Sequence, residues 1–314
     1  MLLRRAVMAR ISLGFIVALF FSSAVAQFSE PTRKVSKRGL HYQEVVVTTK
    51  VPFESCVNFS CRTKEVTLRG QLWLPEKGDP PYKLVVFSHG AQTDDVKSTY
   101  PTGIEPDRFG LAGEYFQMGY AVLIAWRKGR SANDLPRSEI SADSAESNRC
   151  SDDMRPGLKS ALTDLKAYLM TMSSRGDIDH RRILLMGHSR GGATSLGVAA
   201  ESVPGVVGVV NMSGMWLSET ARWGNPGAAC GKGENEAFFR EFGEKLKVPV
   251  LSLYGSQDPL ASVSHIRSLL SRLGKNAPAD FLIVDGAGHG VALGSARPAW
   301  EEKQDRFLRL AIQP

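Results

Sequence analysis

The leading candidate for a catalytic residue is Ser189, which lies between two glycines in the segment G-H-S-R-G at 187–191. An apolar run at 183–186 precedes this segment, and a helix-like segment at 193–200 follows it. A G-x-S-x-G sequence between a strand and a helix is typical of the sharp turn called a nucleophile elbow, which exposes the serine hydroxyl. The turn strains the serine backbone and needs neighbours without bulk, which glycine supplies. We predict that Ser189 is a nucleophile.

A base and an acid for this serine are expected further along the chain. A serine hydroxyl is a weak nucleophile at neutral pH, so it needs a base that takes its proton and a carboxylate that orients the base. With such an elbow the chain order is serine, acid, histidine. Asp258 and His289 each follow a predicted strand, in that order, and we predict that they complete the triad. Asp285, the rival acid, lies four residues before His289 on the same loop and is better explained as a turn residue.

The other histidines are weaker candidates for the base. His188 is interpreted as the variable residue of the elbow, and His89 belongs to a His-Gly pair that follows another predicted strand. The remaining three are interpreted as surface residues: His41, His180 and His265.

Backbone N–H donors must bind the oxyanion of the tetrahedral intermediate that such a serine forms. One donor is predicted to be the amide of Arg190, which directly follows the nucleophile. The second is expected in the segment S-H-G-A at 88–91, after the apolar run 84–87. A His-Gly pair at a strand end suits a tight turn that presents the next backbone amide. We therefore predict that the amide of Ala91 is the second oxyanion donor, with that of Gly90 as the alternative.

The elements that must position these residues follow a repeated pattern of strand, turn and helix. Segments 44–50 and 65–74 alternate apolar and polar residues, as half-exposed antiparallel strands do. Continuous apolar runs, typical of strands covered on both faces, lie at 84–87, 121–126, 183–186, 206–210, 250–254 and 281–284. Apolar residues at three- and four-residue steps predict helices at 109–118, 157–172, 193–200, 235–246, 262–273 and 298–311.

This alternation predicts an α/β fold with a mostly parallel, doubly wound sheet and flanking helices. In such sheets the ligand binds outside the carboxyl ends of the strands, where all of the predicted chemistry falls. Three stretches without a clear element, 91–108, 127–154 and 212–234, are predicted as loop insertions that wall a substrate pocket over the site. Residues 27–42 are expected to lack regular structure.

Large side chains in the insertion at 212–234 and at the end of the predicted strand 121–126 could line an apolar acyl or alcohol pocket. The candidates are Trp126, Met215, Trp216 and Trp223. The alternative is that they only pack the loops together. Arg127 and Lys128 are interpreted as solvated surface residues, the alternative being contact with an anionic group of the substrate.

Residues 1–26 have the features of a secretory signal peptide. Three arginines stand among the first ten residues, 11–21 is mostly apolar, and A-V-A at 24–26 is a small-x-small cleavage site. The apolar run covers 11 residues, fewer than the ~20 that a membrane-spanning helix needs. We therefore expect cleavage after residue 26, no stable membrane span after processing, and a periplasmic or secreted protein.

Charge and length restrict the classes of function. Removal of 1–26 takes away three arginines and no acids, so the net charge falls from +7 to +4 on 288 residues. No run of five like charges occurs, and a nucleic-acid partner is not indicated. Residues 27–314 are long enough for one α/β core and are predicted to form a single domain.

All four cysteines follow the predicted cleavage site. An even number of cysteines behind a signal peptide predicts disulfides, and four cysteines allow three pairings. We favour Cys56–Cys61, which would close a small loop, together with Cys150–Cys230. Zinc is the alternative, but the chain has no C-x-x-C or C-x-x-H spacing, so no metal is expected.

The elbow, the acid, the histidine and the His-Gly turn together resemble the α/β-hydrolase fold over nearly the whole mature length. The segment W-R-K-G-R-S at 126–131 resembles the R-[KR]-G-x-G-x-S stretch of secreted proteins grouped with the dienelactone hydrolases, although a glycine is missing before Ser131. C-S-D-D at 150–153 resembles that group as well, as does a second cysteine before 235–246. The resemblance implies that Cys150 and Cys230 tie together the loops over the active site.

Dienelactone hydrolases typically carry a cysteine nucleophile, whereas this chain has a serine. The resemblance therefore implies a serine esterase that cleaves small-molecule carboxylic esters through an acyl-enzyme, with no cofactor. The elbow is shared with serine peptidases of the prolyl oligopeptidase type, so a peptidase or amidase is the alternative. An acyltransferase and a non-catalytic binding protein are more distant alternatives.

Overall fold

The computed structural model describes residues 33–35, 41–57, 60–90, 111–128, 150–219 and 228–312. Several sequence predictions lie outside the described residues: the signal peptide at 1–26, the pocket wall at 91–108, the oxyanion donor Ala91 and the aromatic residue Trp223.

One mixed sheet of nine strands runs through the described part of the chain, in the order β1-β2-β3-β5-β4-β6-β7-β8-β9. The strands are β1 Arg33–Val35, β2 His41–Val57, β3 Ser60–Trp73, β4 Tyr82–Ser88, β5 Ala121–Ala125, β6 Ile178–His188, β7 Val206–Met212, β8 Val250–Gly255 and β9 Ala279–Val284. The strands β1, β2 and β3 pair antiparallel with their neighbours, whereas β5, β4 and β6 to β9 pair in parallel. The predicted mostly parallel, doubly wound sheet is confirmed.

Helices cover both faces of this sheet in the described residues. They are α1 Leu111–Gln117, α2 Cys150–Ser173, α3 Arg190–Ala200, α4 Ala228–Lys245, α5 Val263–Leu270 and α6 Arg297–Ile312, with a 3₁₀ turn at Gly294–Ala296. The helices α2 to α5 pack in one hydrophobic cluster with strand residues such as Leu84 and Val86. The helices α1 and α6 pack on the opposite face with Val85 and Phe87. Burial of alternate residues on opposite faces explains why these strands read as continuous apolar runs.

None of these described helices is both long enough and apolar enough to cross a lipid bilayer.

The carboxyl ends of the parallel strands lie at one rim of the sheet. Ser88 at the end of β4 is level with Gly187 near the end of β6. Gly255 at the end of β8 is likewise paired with Val284 at the end of β9. The segments that carry the predicted turn, nucleophile, acid and base therefore all leave the sheet at this rim.

The chain before β2 differs from the sequence expectation. Residues 27–42 were expected to lack regular structure, but 33–35 form an edge strand that pairs with 41–43. An edge strand is held by main-chain hydrogen bonds on one side only and needs no apolar alternation. The polar sequence of this strand therefore gave no periodic signal.

Two helices begin earlier than predicted. The predicted starts are 157 and 235, whereas α2 begins at Cys150 and α4 at Ala228, so parts of two predicted pocket walls are helical. Proline usually stands in the first turn of a helix, and Pro156 lies deeper inside α2. A contact between the helices holds this extension, because Arg155 donates two hydrogen bonds to Glu241 at 2.8 and 3.2 Å.

Candidate active site

The turn that carries Ser189 joins β6 directly to α3. Ser189 has a φ of 55°, in the left-handed region that residues other than glycine rarely adopt. Hydrogen bonds on both sides hold this conformation, since Ser189 N–H donates to Met212 O at 2.9 Å and Ser189 O accepts from Met215 N–H at 3.2 Å. The strained turn is therefore fastened to the end of the neighbouring strand β7.

The glycines of this turn are required by close approaches of the backbone. A Cβ atom on Gly187 would lie 2.2 Å from the carbonyl oxygen of Gly191. A Cβ atom on Gly191 would lie 1.9 Å from the carbonyl oxygen of Ser88 at the end of β4. Both distances are far inside van der Waals contact, so neither position can hold a side chain without movement of the backbone.

Asp258 and His289 come together at the same rim. Asp258 Oδ2 and His289 Nδ1 are 2.8 Å apart, and Asp258 Oδ1 accepts a hydrogen bond from Leu260 N–H at 2.9 Å. The Asp258 side chain is fully buried, whereas that of His289 is 20% exposed. A carboxylate only accepts hydrogen bonds, so the proton of the neutral imidazole lies on Nδ1 and Nε2 is left able to accept one.

The loops that carry these two residues are joined to each other. Gln257 N–H donates to Ala287 O at 2.9 Å, and Ser256 N–H donates to Val284 O at 2.9 Å. The exposed Asp285, the rival acid, instead accepts a hydrogen bond from Ser256 Oγ at 3.0 Å. Asp285 therefore stabilises the turn, and the acid that contacts His289 is Asp258.

His188 has a place in this site that the sequence interpretation missed. Its Nε2–H donates to the carbonyl oxygen of His289 at 2.9 Å, and the two ring centroids are 4.9 Å apart. Burial and then the neighbouring His289 lower the pKa of His188, which favours its neutral form. The sequence could have indicated this place, because His188 directly precedes the nucleophile and therefore lies at the same strand end.

The His-Gly turn after β4 lies beside the serine. A Cβ atom on Gly90 would be 3.2 Å from Ser189 Cβ. The ring of His89 is buried and donates from Nδ1 to Gly90 O at 2.8 Å, while its Nε2 accepts a hydrogen bond from Arg127 N–H at 3.1 Å. Arg190, the other predicted oxyanion donor, is the first residue of α3, where N–H groups point out of the helix. Both predicted donor segments thus adjoin Ser189.

The described residues predicted to line a pocket are largely buried in the protein. Trp126, Met215 and Trp216 are 2%, 2% and 4% exposed. Asn235 of α4 binds the backbone around Trp216, accepting hydrogen bonds from the N–H groups of Trp216 and Leu217 at 3.0 and 3.2 Å. This burial favours the alternative that these side chains pack the loops, and their contact with substrate stays a prediction.

The interpretation of Arg127 and Lys128 as solvated surface residues is wrong. Both are buried, at 1% and 4% exposure. Lys128 forms an ion pair with the buried Asp164 of α2, whose pKa is raised by burial while Lys128 acts against that rise. The partners of the two cations lie 36 to 39 residues away in the chain, so local sequence gave no sign of them.

His265, interpreted as a surface residue, is also buried. It lies in α5, and neither ring nitrogen has a hydrogen-bond partner among the described residues. A carboxylate oxygen of Glu236 on α4 is 3.8 Å from Nδ1. Burial lowers the pKa of His265, which favours its neutral form.

The four cysteines can be placed by their backbone alone. Cys56 of β2 is directly opposite Cys61 of β3 in the strand register. Cys150 is the first residue of α2, and Cys230 lies in the first turn of α4. Both disulfide pairings stay predictions. Within the described residues, no group of three or more histidine, cysteine, aspartate or glutamate side chains could hold a metal ion.

Comparisons with known proteins bear on the fold and the family. A family model described as the prolyl oligopeptidase family, Peptidase_S9, matches residues 158–314, which include Ser189, Asp258 and His289. No curated protein matches the chain in sequence.

Solved structures similar to this chain have the predicted fold. An esterase of Pyrococcus furiosus is 17% identical with a TM-score of 0.58, over 90% of this chain and 98% of the esterase. Est1E from Butyrivibrio proteoclasticus with bound ferulic acid is 18% identical with a TM-score of 0.55, over 77% and 96% of the two chains. A dienelactone hydrolase from Anabaena variabilis is 18% identical with a TM-score of 0.52, over 85% and 99%. The α/β-hydrolase fold is therefore confirmed, and at these identities the likeness carries the fold alone.

Proposed function

The chain belongs to the prolyl oligopeptidase family, and on that premise we propose that this serine hydrolase of the α/β type cleaves carboxylic esters with Ser189, His289 and Asp258 as its triad. The observation that carries the proposal is the 2.8 Å contact between His289 Nδ1 and the buried Asp258. It leaves Nε2 as the proton acceptor at the rim where the Ser189 turn emerges.

The proposed reaction has two halves. Ser189 Oγ attacks the ester carbonyl while His289 Nε2 takes its proton, and the alcohol leaves with that proton as the acyl-enzyme forms. Water activated by His289 then hydrolyses the acyl-enzyme. Asp258 holds the imidazole in the required tautomer and stabilises the imidazolium. The amides of Arg190 and Ala91 are the proposed donors to the oxyanion.

Amide hydrolysis of short peptides is the second candidate, and the family match favours it. The same triad and oxyanion donors serve both reactions, so the two candidates differ in the leaving group. The resemblance of segments 126–131 and 150–153 to secreted proteins grouped with the dienelactone hydrolases supports the ester as first candidate. A comparison of rates on matched esters and anilides separates the two.

Substitution of the nucleophile tests the proposal. Ser189→Ala should lower kcat on p-nitrophenyl butyrate by about 10⁴-fold or more, as loss of a triad nucleophile does. The matched control is Ser195→Ala on α3, whose buried hydroxyl has no partner among the described residues, and its rate should stay within about twofold of the wild type. Full esterase activity in Ser189→Ala would contradict the proposed nucleophile. Faster cleavage of the matched anilide by the wild type would favour the amidase.

We also propose that residues 27–314 form a single exported domain, periplasmic or secreted, with Cys56–Cys61 and Cys150–Cys230 as disulfides. The opposed backbone positions of Cys56 and Cys61 support the first pair. The exported protein should have the intact mass of a chain that begins at residue 27. Peptide mapping without reduction should recover both pairs, and a free thiol at any of the four positions would contradict the pairing.

A further inference from the structure

Arg127 is a buried residue that binds the His-Gly turn after β4. Its guanidinium Nη1 donates to Ser88 Oγ at 3.2 Å and to His89 O, and its Nη2 donates to Gly90 O at 3.1 Å. Its own backbone N–H donates to the ring of His89 at 3.1 Å. At 1% exposure Arg127 is one of the largest fully buried side chains of the described residues. The guanidinium therefore contacts three consecutive residues of this turn.

These contacts fix the direction of the backbone amides in the turn. A peptide group is planar and trans, so its C=O and N–H point in opposite directions. His89 O shares a peptide group with Gly90 N–H, and Gly90 O shares one with the amide nitrogen of residue 91. A guanidinium that holds His89 O on its own side directs Gly90 N–H away from itself. Gly90 N–H is the alternative oxyanion donor that the sequence predicts.

The ring of His89 strengthens the same arrangement. A carbonyl only accepts and a backbone N–H only donates, so the bonds to Gly90 O and Arg127 N–H fix His89 as the neutral Nδ1–H tautomer. Gly90 O thus accepts two hydrogen bonds, one from His89 and one from Arg127. The ring of Trp126 packs on His89 with centroids 5.0 Å apart, which keeps the imidazole in place.

Lysine cannot make this set of contacts. The guanidinium is a planar fork whose donors can serve two carbonyl oxygens and a hydroxyl at once, whereas an ammonium is a compact point charge. The buried charge has a counterpart nearby, since Asp164 is within electrostatic reach of Arg127 as well as paired with Lys128. The planar shape of the guanidinium, and not its positive charge alone, therefore requires arginine at position 127.

We propose that Arg127 is a positioning residue for the oxyanion-binding turn, an inference that rests on the proposed serine hydrolase function. Arg127 does not contact the reacting atoms. It holds the carbonyl oxygens of His89 and Gly90, so that Gly90 N–H is held in the turn beside Ser189 before substrate binds. Preorganised donors of this kind act on the transition state and not on the bound substrate, so the effect belongs in kcat.

The test compares Arg127→Lys with the wild type and with a control, Arg297→Lys, which alters an exposed ion pair with Glu114. Arg127→Lys should lower kcat on p-nitrophenyl butyrate by about 10²-fold, the usual loss for one oxyanion donor, with KM within about threefold. The affinity of a trifluoromethyl ketone, which forms a tetrahedral adduct with serine, should fall by the same factor as kcat/KM. Amide hydrogen exchange at 88–91 should become faster in Arg127→Lys and stay unchanged in Arg297→Lys.

A failure of the role proposed for Arg127 can be told apart from a failure of the proposed serine hydrolase function. An unchanged kcat, or an equal affinity of the ketone for both proteins, would overturn the role of Arg127. Unchanged exchange at 88–91 would overturn the positioning itself, and this readout needs no activity. An inactive wild type would refute the hydrolase and with it the catalytic role of the turn. If Arg127→Lys does not fold, Ser88→Ala decides, because it removes one anchor of the guanidinium and should lower kcat several-fold with KM unchanged.

Discussion

At the scale of single residues, the polarity of hydrogen bonds assigns the tautomers of three histidines around the site. His289 carries its proton on Nδ1 because it faces a carboxylate, and His89 does so because it faces a carbonyl. His188 carries its proton on Nε2, which faces the carbonyl of His289. His289 is thereby left with an accepting Nε2 at the rim, while His89 holds the turn after β4 and His188 holds the loop that carries His289.

The role assigned to Asp258 predicts the effect of Asp258→Asn. The new amide group can donate to Nδ1 of His289, which would move the imidazole proton to Nε2 and block it as a base. We expect kcat to fall by about 10³- to 10⁴-fold with the fold retained, as in other triads. Steady-state kinetics and thermal unfolding measure the two quantities. Asp285→Asn is the matched control, and loss of activity there instead of in Asp258→Asn would make the rival acid the true one.

At the scale of elements, the contact between α2 and α4 shows where sequence patterns stop being informative. Arg155 bonds Glu241 and lies over the ring of Phe238 at 5.2 Å, which anchors the first turns of α2 to α4. The first turns of α2 are polar and contain Pro156. Apolar periodicity placed the starts of both α2 and α4 seven residues too late. An anchor between residues 86 positions apart in the chain cannot be read from either segment alone.

The buried His265 on α5 predicts a pH dependence of stability. Burial lowers its pKa in the folded protein, although Glu219 and Glu236 oppose this, while the unfolded value is about 6.5. The unfolded chain therefore takes up the proton first as the pH falls, and stability is lost as the pH falls through about 6.5.

Urea unfolding at pH 7.5 and 5.5 measures this effect. The free energy of unfolding of His265→Leu should fall less between these two pH values than that of the wild type, because the variant has lost one titrating group. His188, whose pKa is also lowered, supplies part of the remaining slope. The control is His180→Leu, which replaces an exposed histidine and should keep the wild-type slope. A wild-type slope in His265→Leu would contradict the assignment.

At the scale of the whole molecule, the sheet gathers distant segments at one rim. The sequence predicted the strands of the parallel part of the sheet, because burial on both faces leaves a continuous apolar run. It also predicted which segments reach the rim, since motifs that follow parallel strands must lie there. It could not predict that Arg127 and Lys128 turn inward, because their partners on β4 and α2 become neighbours only when the sheet forms.

Covalent labelling is the direct test of Ser189 as a nucleophile that His289 activates. A fluorophosphonate probe should modify the folded wild-type protein on the peptide that contains Ser189, as identified by mass spectrometry. Labelling should be lost in Ser189→Ala and strongly slowed in His289→Ala, because the probe needs an activated serine. Label on another residue, or a folded wild type that takes up none, would contradict the claim.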